Sequence, residues 1–325
     1  MWLSSAFVIA TAPGKLILTG EYAVLNGAPA LVIAVDRRAI ARRDAVRGSS
    51  PFLLAVAQEI AKRHGETSVA ARAALEIAVD SSAFYDSHGT KLGLGSSAAV
   101  TVAATARALA EAGLTDNWRG EVLSIASAAH ANAQGLRGAR GSGADIAAAV
   151  FGGTIGYEAK EGTAVSRFTW PKSVTLVPFF TGAAADTAML VSHVMSPRWG
   201  SELDAALDAI AHASRAACSA MTAPEELVAP SLIAAFSLAA AGIDRLAMAT
   251  GADLVPACVS TARAALAKLG GTAKTTGAGG GDVAIAVIPA TADVSEVGRI
   301  LIESGCKPLR LSVDETGVDT RPVAQ

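Results

Sequence analysis

Lysine, serine and aspartate side chains stand beside glycine-rich stretches at four places in this sequence. The stretches read APGK at 12–15, KLGLGSSA at 91–98, GSGAD at 141–145 and KTTGAGGGD at 274–282. Glycine lets backbone amides approach an anion with no side chain between them, and lysine supplies the opposing charge. These residue types therefore suit the binding of phosphate groups.

The second stretch leads into an apolar segment that predicts a helix over residues 97–112. Gly93 and Gly95 precede Ser96 and Ser97 at its start. Exposed amides and the helix dipole make a helix N-terminus an anion site. The serine hydroxyls can cap the helix or bind Mg²⁺, and the sequence leaves both roles open.

The sequence does not support two other kinds of phosphate-binding motif. Gly93-x-Gly95-x-x-Ala98 fits the loose dinucleotide fingerprint, but that motif follows a hydrophobic strand and needs an acidic residue at the end of the next strand. The preceding YDSHGTK is polar, and Glu111, at the required distance, lies within or just after the predicted helix. A GxxxxGK[ST] motif does not occur in the sequence.

The first and last stretches each connect predicted strands. Pro13, Gly14 and Lys15 predict a tight connection, for which a hairpin turn with a solvent-facing lysine is the alternative. The glycines at 277–281 can align amides on one anion or clamp a neighbouring loop. Four glycines in five positions argue against a plain flexible hairpin, and Asp282 is predicted to anchor the loop rather than to take part in chemistry.

Asp145 stands at the start of a small, apolar helix predicted over residues 143–151. Arg137 and Arg140, just upstream, could hold an anionic substrate next to its carboxylate. An aspartate that only stabilises the first turn of its helix is the alternative, as are arginines that are surface charge.

The composition indicates a folded, globular chain. It has 325 residues, 51% of them hydrophobic and 17% charged, and a net charge of -2, so a broad basic face for nucleic acid is not expected. Strands and helices occur in clusters, which favours an α+β fold over a doubly wound sheet. Without a signal peptide, and with the longest apolar stretch broken at Pro230, Ser231 and Ser237, we expect a cytoplasmic protein. We expect free structural thiols at Cys218, Cys258 and Cys306.

Taken together, these segments resemble the GHMP kinase family of small-molecule kinases. The resemblance rests on APGKLILTGEYAVL, GLGSSAA and KTTGAGGGD in this order, and it covers the chain end to end. It implies a two-lobed GHMP kinase fold, with an ATP-binding N-terminal lobe like ribosomal protein S5 over residues 1–170. A ferredoxin-like C-terminal lobe is implied over residues 171–325, with ATP and Mg²⁺ in the cleft between the lobes.

Within the family, the sequence is most similar to the phosphomevalonate kinases. Tyr22 stands in GEYAVL where mevalonate kinases usually carry histidine, and the last motif ends GGGD. Asp186, in a serine position, and Val283, where cysteine is frequent, depart from the pattern of that group. The implied reaction is ATP-dependent phosphorylation of phosphomevalonate to diphosphomevalonate, in the mevalonate route to isoprenoids.

The resemblance also assigns roles to individual residues. The expected contacts with the ATP phosphates are Gly93, Leu94, Gly95, Ser96, Ser97 and Ala98, with Ser96 or Ser97 near Mg²⁺. Lys15, Asp145 and Ser97 are the expected catalytic residues, with Lys15 neutralising the transferred phosphoryl group and Asp145 orienting the acceptor. The expected acceptor contacts are Tyr22, Lys91, Arg137, Arg140, Ser142, Thr276, Gly277 and Gly279. Lys274 is a further positive charge available to the phosphate groups. The last loop is expected to be glycine-rich so that its backbone can approach the phosphate-binding loop.

Other members of the family remain as alternatives. An acceptor phosphate is largely ionised at neutral pH because its second pKa is about 6, so no strong base is required. A hydroxyl acceptor, as in mevalonate, homoserine or a sugar, would rely more on Asp145 as a base. A non-catalytic ligand sensor tends to lose motif residues, whereas Lys15, Ser96, Ser97 and Asp145 are all present. We expect a monomer or homodimer with no nucleic-acid or membrane partner.

Overall fold

The computed structural model describes residues 8–44, 50–113, 117–136, 141–160 and 162–322. Its strands are β1 (Val8–Thr19), β2 (Ala30–Arg43), β3 (Ile77–Asp80), β4 (Thr154–Lys160), β5 (Gly162–Phe168), β6 (Val174–Phe180), β7 (Thr272–Thr275), β8 (Val283–Pro289), β9 (Lys307–Pro308) and β10 (Asp319–Pro322). Its α-helices are α1 (Pro51–His64), α2 (Val69–Leu75), α3 (Ser96–Glu111), α4 (Trp118–Gly135), α5 (Ala144–Phe151), α6 (Thr187–Val194), α7 (Gly200–Ala220), α8 (Glu225–Thr250), α9 (Ala257–Leu266) and α10 (Val294–Glu303).

The first sheet has the strand order β10-β1-β2-β4-β5, with β3 paired to β2. All of its pairings are antiparallel. The helices α3 and α5 pack on β1 and β2, and the shared core includes Leu16, Ile33 and Val102. This sheet and α1–α5 form the N-terminal lobe.

β1 passes through Pro13 and Lys15 as one continuous strand. The predicted tight connection between two strands is therefore wrong. The register with β2 shifts between Pro13 and Gly14, which marks a β-bulge. Proline has no backbone N–H and cannot donate to a regular ladder of hydrogen bonds. At a bulge the ladder is interrupted, so proline is tolerated there. It also changes the direction of the side chains that follow it.

The second sheet has the strand order β7-β8-β6-β9 and is also antiparallel. Residues 283–288 of the central strand β8 are all buried. Alternate residues of β8 enter two different cores: Val283, Ile285 and Val287 join the core of the N-terminal lobe, and Ala284, Ala286 and Ile288 join a second core with α9 and α10. The expected two-lobed α+β fold is confirmed.

The helices α7 and α8 pack against each other along their length. α8 continues through Pro230, since a proline near the start of a helix removes few internal hydrogen bonds. Among the described residues, α8 is the one helix long and apolar enough to cross a membrane, with a mean hydropathy of 1.7. Its Leu232, Phe236 and Leu246 are fully buried, as in the core helix of a globular protein.

The C-terminal residues return to the first sheet. β9 pairs with β6, Val313 forms an isolated bridge with Val35, and β10 pairs with β1. The division at residues 170 and 171 falls between β5 and β6 and remains our proposal for the lobe limits, with β10 as an exception. All three cysteines are free, and burial raises the pKa of Cys218 to about 11 and that of Cys306 to about 12.

Candidate active site

A cavity of about 620 Å³ lies where the two lobes meet. Most of the residues assigned from the sequence line it, namely Lys15, Tyr22, Lys91, Gly93, Gly95, Ser96, Ser97, Ser142, Asp145, Thr276, Gly277 and Gly279. The wall also contains Asp282 and several residues with no predicted role: Glu21, Phe52, Gln134 and Asp186. Segments that are far apart in the sequence thus meet at one cavity.

Lys15 lies on β1 directly after the bulge, and its side chain reaches the cavity. Its backbone N–H donates to the carbonyl of Leu94 at 2.9 Å, which joins the glycine loop before α3 to the strand. A Cβ on Gly14 would lie 2.6 Å from that carbonyl oxygen, so glycine is required there. Burial lowers the pKa of Lys15, while the carboxylates of Asp145 and then Asp282 act in the opposite direction.

Gly93 and Gly95 leave room for two charged side chains. A Cβ on Gly95 would lie 2.9 Å from Cε of Lys15, and one on Gly93 would lie 2.4 Å from Oδ2 of Asp282. Both glycines have positive φ, +72° and +76°. Their predicted contact with phosphate remains a prediction, to which the structure adds a steric reason for glycine at each position.

The N-terminus of α3 faces the cavity without a side-chain cap. Gly95 is the N-cap residue, and among the residues that the structure describes no side chain accepts from the first turn. Ser96 lines the cavity although it is only 8% exposed. The side chains of Leu94 and Ala98 lie in the hydrophobic core, so only their backbone amides are in a position to meet an anion. The uncapped turn is a ready anion site.

Ser97 is held by a histidine that the sequence patterns did not reveal. The Ser97 hydroxyl lies 3.2 Å from Nε2 of His130 on α4. His130 is buried, and its ring stacks on Phe52 with centroids 5.1 Å apart. The two partners are 33 residues apart, and no local pattern in the sequence connects them.

Asp145 occupies the first turn of α5, whose N-cap is Gly143. Its Oδ1 accepts from the N–H of Ile146 at 3.0 Å, and the residue also lines the cavity. The two interpretations of Asp145 are thus compatible, since one carboxylate stabilises the turn and faces the cavity. Arg137 and Arg140, which were predicted to bind the acceptor, lie outside the described residues.

The glycines of the last stretch mainly serve packing within their own lobe. A Cβ on Gly279 would lie 2.6 Å from the carbonyl oxygen of Leu254, and one on Gly281 would lie 2.8 Å from that of Ala183. A Cβ on Gly277 would have no atom of the described residues within 4 Å, although its φ is +64°. The predicted close approach to the phosphate-binding loop is therefore not the reason for glycine at positions 279 and 281.

Tyr22 and Asp282 connect this loop to the N-terminal lobe. The hydroxyl of Tyr22 donates to the carbonyl of Ala278 at 2.6 Å. The carboxylate of Asp282 fits against Gly93, and its Oδ1 accepts from the N–H of Ala185 at 3.2 Å. Both residues have positive φ, +59° and +55°, although neither is glycine. Strained backbone of this kind is concentrated at functional sites.

Two polar residues of the last stretch are engaged inside the protein. Lys274 is fully buried, and its Nζ donates to Glu21 and, at 2.9 Å, to the carbonyl of Leu18. The expectation that Lys274 is available to a polyanion is wrong, because its charge is already paired. The Thr276 hydroxyl donates to the carbonyl of Val283 at 2.6 Å, so this side chain supports the loop.

Two further wall residues had only weak signals in the sequence. Asp186 caps α6, with its Oδ1 accepting from the N–H of Met189 at 3.0 Å. Gln134 lies near the end of α4, and a Cβ on Gly141 would lie 2.3 Å from its Oε1. Asp186 departs from the serine of the related group, and Gln134 directly precedes a glycine-rich segment, but neither pattern showed that the residue faces the cavity.

Comparisons with known proteins show which sequences and structures this chain resembles. Residues 51–153 match the family model of the GHMP kinases N terminal domain. The chain is 30% identical to the phosphomevalonate kinase of Streptomyces sp. (strain CL190), over 96% of this chain and 98% of that protein. It is 31% identical to the mevalonate kinase of Archaeoglobus fulgidus, over 84% of this chain and 90% of that protein.

Solved structures share the fold. Streptococcus pneumoniae phosphomevalonate kinase in complex with phosphomevalonate and AMPPNP superimposes with a TM-score of 0.76 at 18% identity, over 94% of this chain and 99% of that one. This likeness confirms the two-lobed architecture. Together with a relative that is 30% identical over nearly the whole length of both proteins, it shows that the chain belongs to the GHMP kinase family.

Proposed function

We propose that this protein transfers the γ-phosphoryl group of ATP to the phosphate of phosphomevalonate, giving diphosphomevalonate. The observation that carries the proposal is the meeting of Lys15, Asp145 and the uncapped N-terminus of α3 at one cavity between the lobes. The 30% sequence identity to a phosphomevalonate kinase, over nearly the full length of both proteins, supports the choice of acceptor.

The cavity suits a nucleotide triphosphate. The first amides of α3 point from an uncapped turn, and the left-handed glycines before it let an anion approach the backbone. Among the described residues, no group of three or more His, Cys, Asp or Glu side chains could hold a metal ion. Mg²⁺ usually takes few protein ligands and shares phosphate oxygens and water, so the Ser96 hydroxyl fits as a ligand for the metal. Bound there, Mg²⁺ would neutralise charge on the phosphates.

The residues around Lys15 suit phosphoryl transfer to a phosphate acceptor. Phosphoryl transfer depends mostly on positioning and on neutralising charge. Lys15 would meet the transferred group, while Lys91, exposed at the cavity, would face the acceptor. Asp145 orients the acceptor; because an acceptor phosphate is largely ionised at neutral pH, the chemistry does not require Asp145 to remove a proton.

Mevalonate is the second candidate acceptor. The similarity to an archaeal mevalonate kinase favours it, and so does the carboxylate of Asp186 in the cavity wall, which would repel a second anionic group placed beside it. In that case Asp145 would act as a base towards a hydroxyl group. Homoserine and sugars are weaker candidates, and a ligand sensor without activity is weaker still. We further propose a cytoplasmic monomer or homodimer that binds no nucleic acid or membrane.

An assay of ADP release tests the proposal. ATP and Mg²⁺ are supplied with phosphomevalonate, mevalonate, homoserine or galactose in parallel reactions. We expect turnover with phosphomevalonate and at most slow turnover with the others. Turnover with mevalonate alone would replace the proposed acceptor, and ADP release with none of the four would favour a sensor.

A further inference from the structure

Asp282 is in an unusual position for a residue that only anchors a loop. It has a φ of +55°, and its backbone is fixed on both sides, since its N–H donates to Ala183 at 2.7 Å and its carbonyl accepts from the N–H of Thr181 at 3.0 Å. These two bonds, with the bond from Ala185 to Oδ1, hold the residue in the C-terminal lobe. The side chain nevertheless crosses to the N-terminal lobe and fits against Gly93.

Crossing the cleft brings the carboxylate into the surroundings of Lys15. Lys15 and Asp282 reach the same glycine loop from different lobes, one against Gly95 and the other against Gly93. Both line the cavity, and within the described part of the chain Lys15 makes no ion pair shorter than 4.0 Å. The ammonium is therefore near negative charge without being bound to it, which leaves its protons for a ligand.

The charges that face Lys15 come from four segments. Asp145 on α5 and Asp282 favour the protonated amine, Lys91 before α3 opposes it, and Glu21 after β1 favours it more weakly. Burial disfavours the charged form most strongly. Since Glu21 is already paired with Lys274, the two carboxylates that decide the state of Lys15 are those of Asp145 and Asp282.

We propose that Asp282 is a positioning residue that, together with Asp145, places a carboxylate on each side of the Lys15 ammonium and directs it into the cavity. The two carboxylates belong to opposite lobes, so both lie near Lys15 only when the two lobes are packed against each other. The proposal rests on the proposed function for the task of Lys15 in phosphoryl transfer. The effect on Lys15 itself is measurable without any acceptor.

The Asp282→Asn variant removes the negative charge of the side chain and keeps its size and shape. Asparagine tolerates positive φ and can accept the same hydrogen bond from the N–H of Ala185. Burial raises the pKa of Asp282, so loss of the charge is not expected to reduce stability at neutral pH. Asp253→Asn is the matched control, because Asp253 is exposed, its carbonyl lies beside Gly280 of the same loop, and it does not line the cavity.

The measurement is competitive acetylation of Lys15 in the resting protein over a range of pH, read by mass spectrometry. We expect the pKa of Lys15 to fall by about one unit in Asp282→Asn and to stay unchanged in Asp253→Asn. In the active enzyme, the alkaline limb of the kcat profile should move to lower pH by the same amount. Gly93→Ala, whose Cβ would displace the carboxylate, should shift the pKa of Lys15 in the same direction.

An unchanged pKa of Lys15 in Asp282→Asn would overturn the proposal and leave Asp282 as a loop anchor. The proposal also fails if Asp253→Asn lowers the pKa of Lys15 equally, because the change would then follow from the loss of any negative charge on this loop and not from the position of Asp282. Neither result depends on turnover, so a failure of the proposed acceptor in the ADP assay would not be mistaken for a failure of this inference.

Discussion

Lys274 on β7 and Glu21 after β1 form an ion pair that joins the two lobes, and neither side chain is more than 1% exposed. The Nζ of Lys274 also donates to the carbonyl of Leu18 at 2.9 Å and to that of Thr275 at 2.6 Å. All three protons of the ammonium are thereby used. The pair lies beside the cavity, which Glu21 lines, and we expect it to help hold the two lobes together.

Removing one partner of this pair should be strongly destabilising. Lys274→Met leaves the Glu21 carboxylate buried without its counter-charge, which costs about 3–5 kcal/mol of unfolding free energy. The double variant Glu21→Leu/Lys274→Met should recover most of that loss, because no unpaired charge remains. Urea unfolding of the three proteins measures both effects.

An exposed ion pair provides the control for Lys274. Arg299 pairs with Glu303 on α10, where both side chains are exposed. Arg299→Met should change the unfolding free energy by less than about 1 kcal/mol. A cost for Lys274→Met as small as this would show that the buried pair does not hold the lobes together.

The two glycines at 95 and 277 should respond differently to alanine. In Gly95→Ala the new Cβ meets the Lys15 side chain, so we expect kcat/KM to fall about 100-fold through displacement of the amine. In Gly277→Ala the Cβ enters open space, and the left-handed backbone alone should cost about 1–2 kcal/mol of stability. Steady-state kinetics and thermal unfolding separate the two effects; equal losses of activity would contradict the steric role of Gly95.

The hydroxyl of Tyr22 should matter for the order of the neighbouring loop. Tyr22→Phe leaves the carbonyl of Ala278 without its donor, at a cost of about 1–3 kcal/mol. Hydrogen exchange at the amides of 276–280 should accelerate, and kcat/KM should fall several-fold. Tyr85→Phe, at an exposed tyrosine, is the control and should change neither quantity. Unchanged exchange in Tyr22→Phe would show that the hydroxyl does not hold the loop.

Activity should depend on pH through Lys15. Because burial lowers the pKa of Lys15 below the ordinary lysine value of 10.5, the amine loses its proton, and the enzyme its activity, at a lower pH than an ordinary lysine would. Arginine stays charged throughout, so Lys15→Arg should lack this alkaline limb while turning over more slowly at neutral pH. A profile of kcat against pH for both proteins is the measurement. An identical limb in both would assign it to another group.

Local patterns predicted much of the site. An apolar segment that begins at a serine pair placed the start of α3 to within one residue, and small apolar residues after Gly143 placed α5. The order of three glycine motifs indicated the family, and with it the meeting of Lys15 and Asp145 in one cleft. Each of these signals lies within a short segment whose residue types carry the physical requirement.

Long-range relationships were beyond those patterns. Nothing near Lys274 shows that Glu21, 253 residues away, neutralises it, and Lys274 therefore resembled a free charge. The same holds for His130 beside Ser97 and for β10 beside β1. The bulge at Pro13 was missed for a different reason, because proline and glycine together are also typical of turns.

The central claim is that the acceptor atom is a phosphate oxygen, and ³¹P NMR of the product tests it most directly. Phosphorylation of a phosphate gives a diphosphate, whose two phosphorus nuclei couple to each other, whereas phosphorylation of a hydroxyl gives an uncoupled monoester. With ATP, Mg²⁺ and phosphomevalonate, we expect a new coupled pair of signals, distinct from the pair of ADP, that is absent from reactions with Lys15→Ala. A new uncoupled monoester signal from mevalonate, with phosphomevalonate left unchanged, would contradict the account.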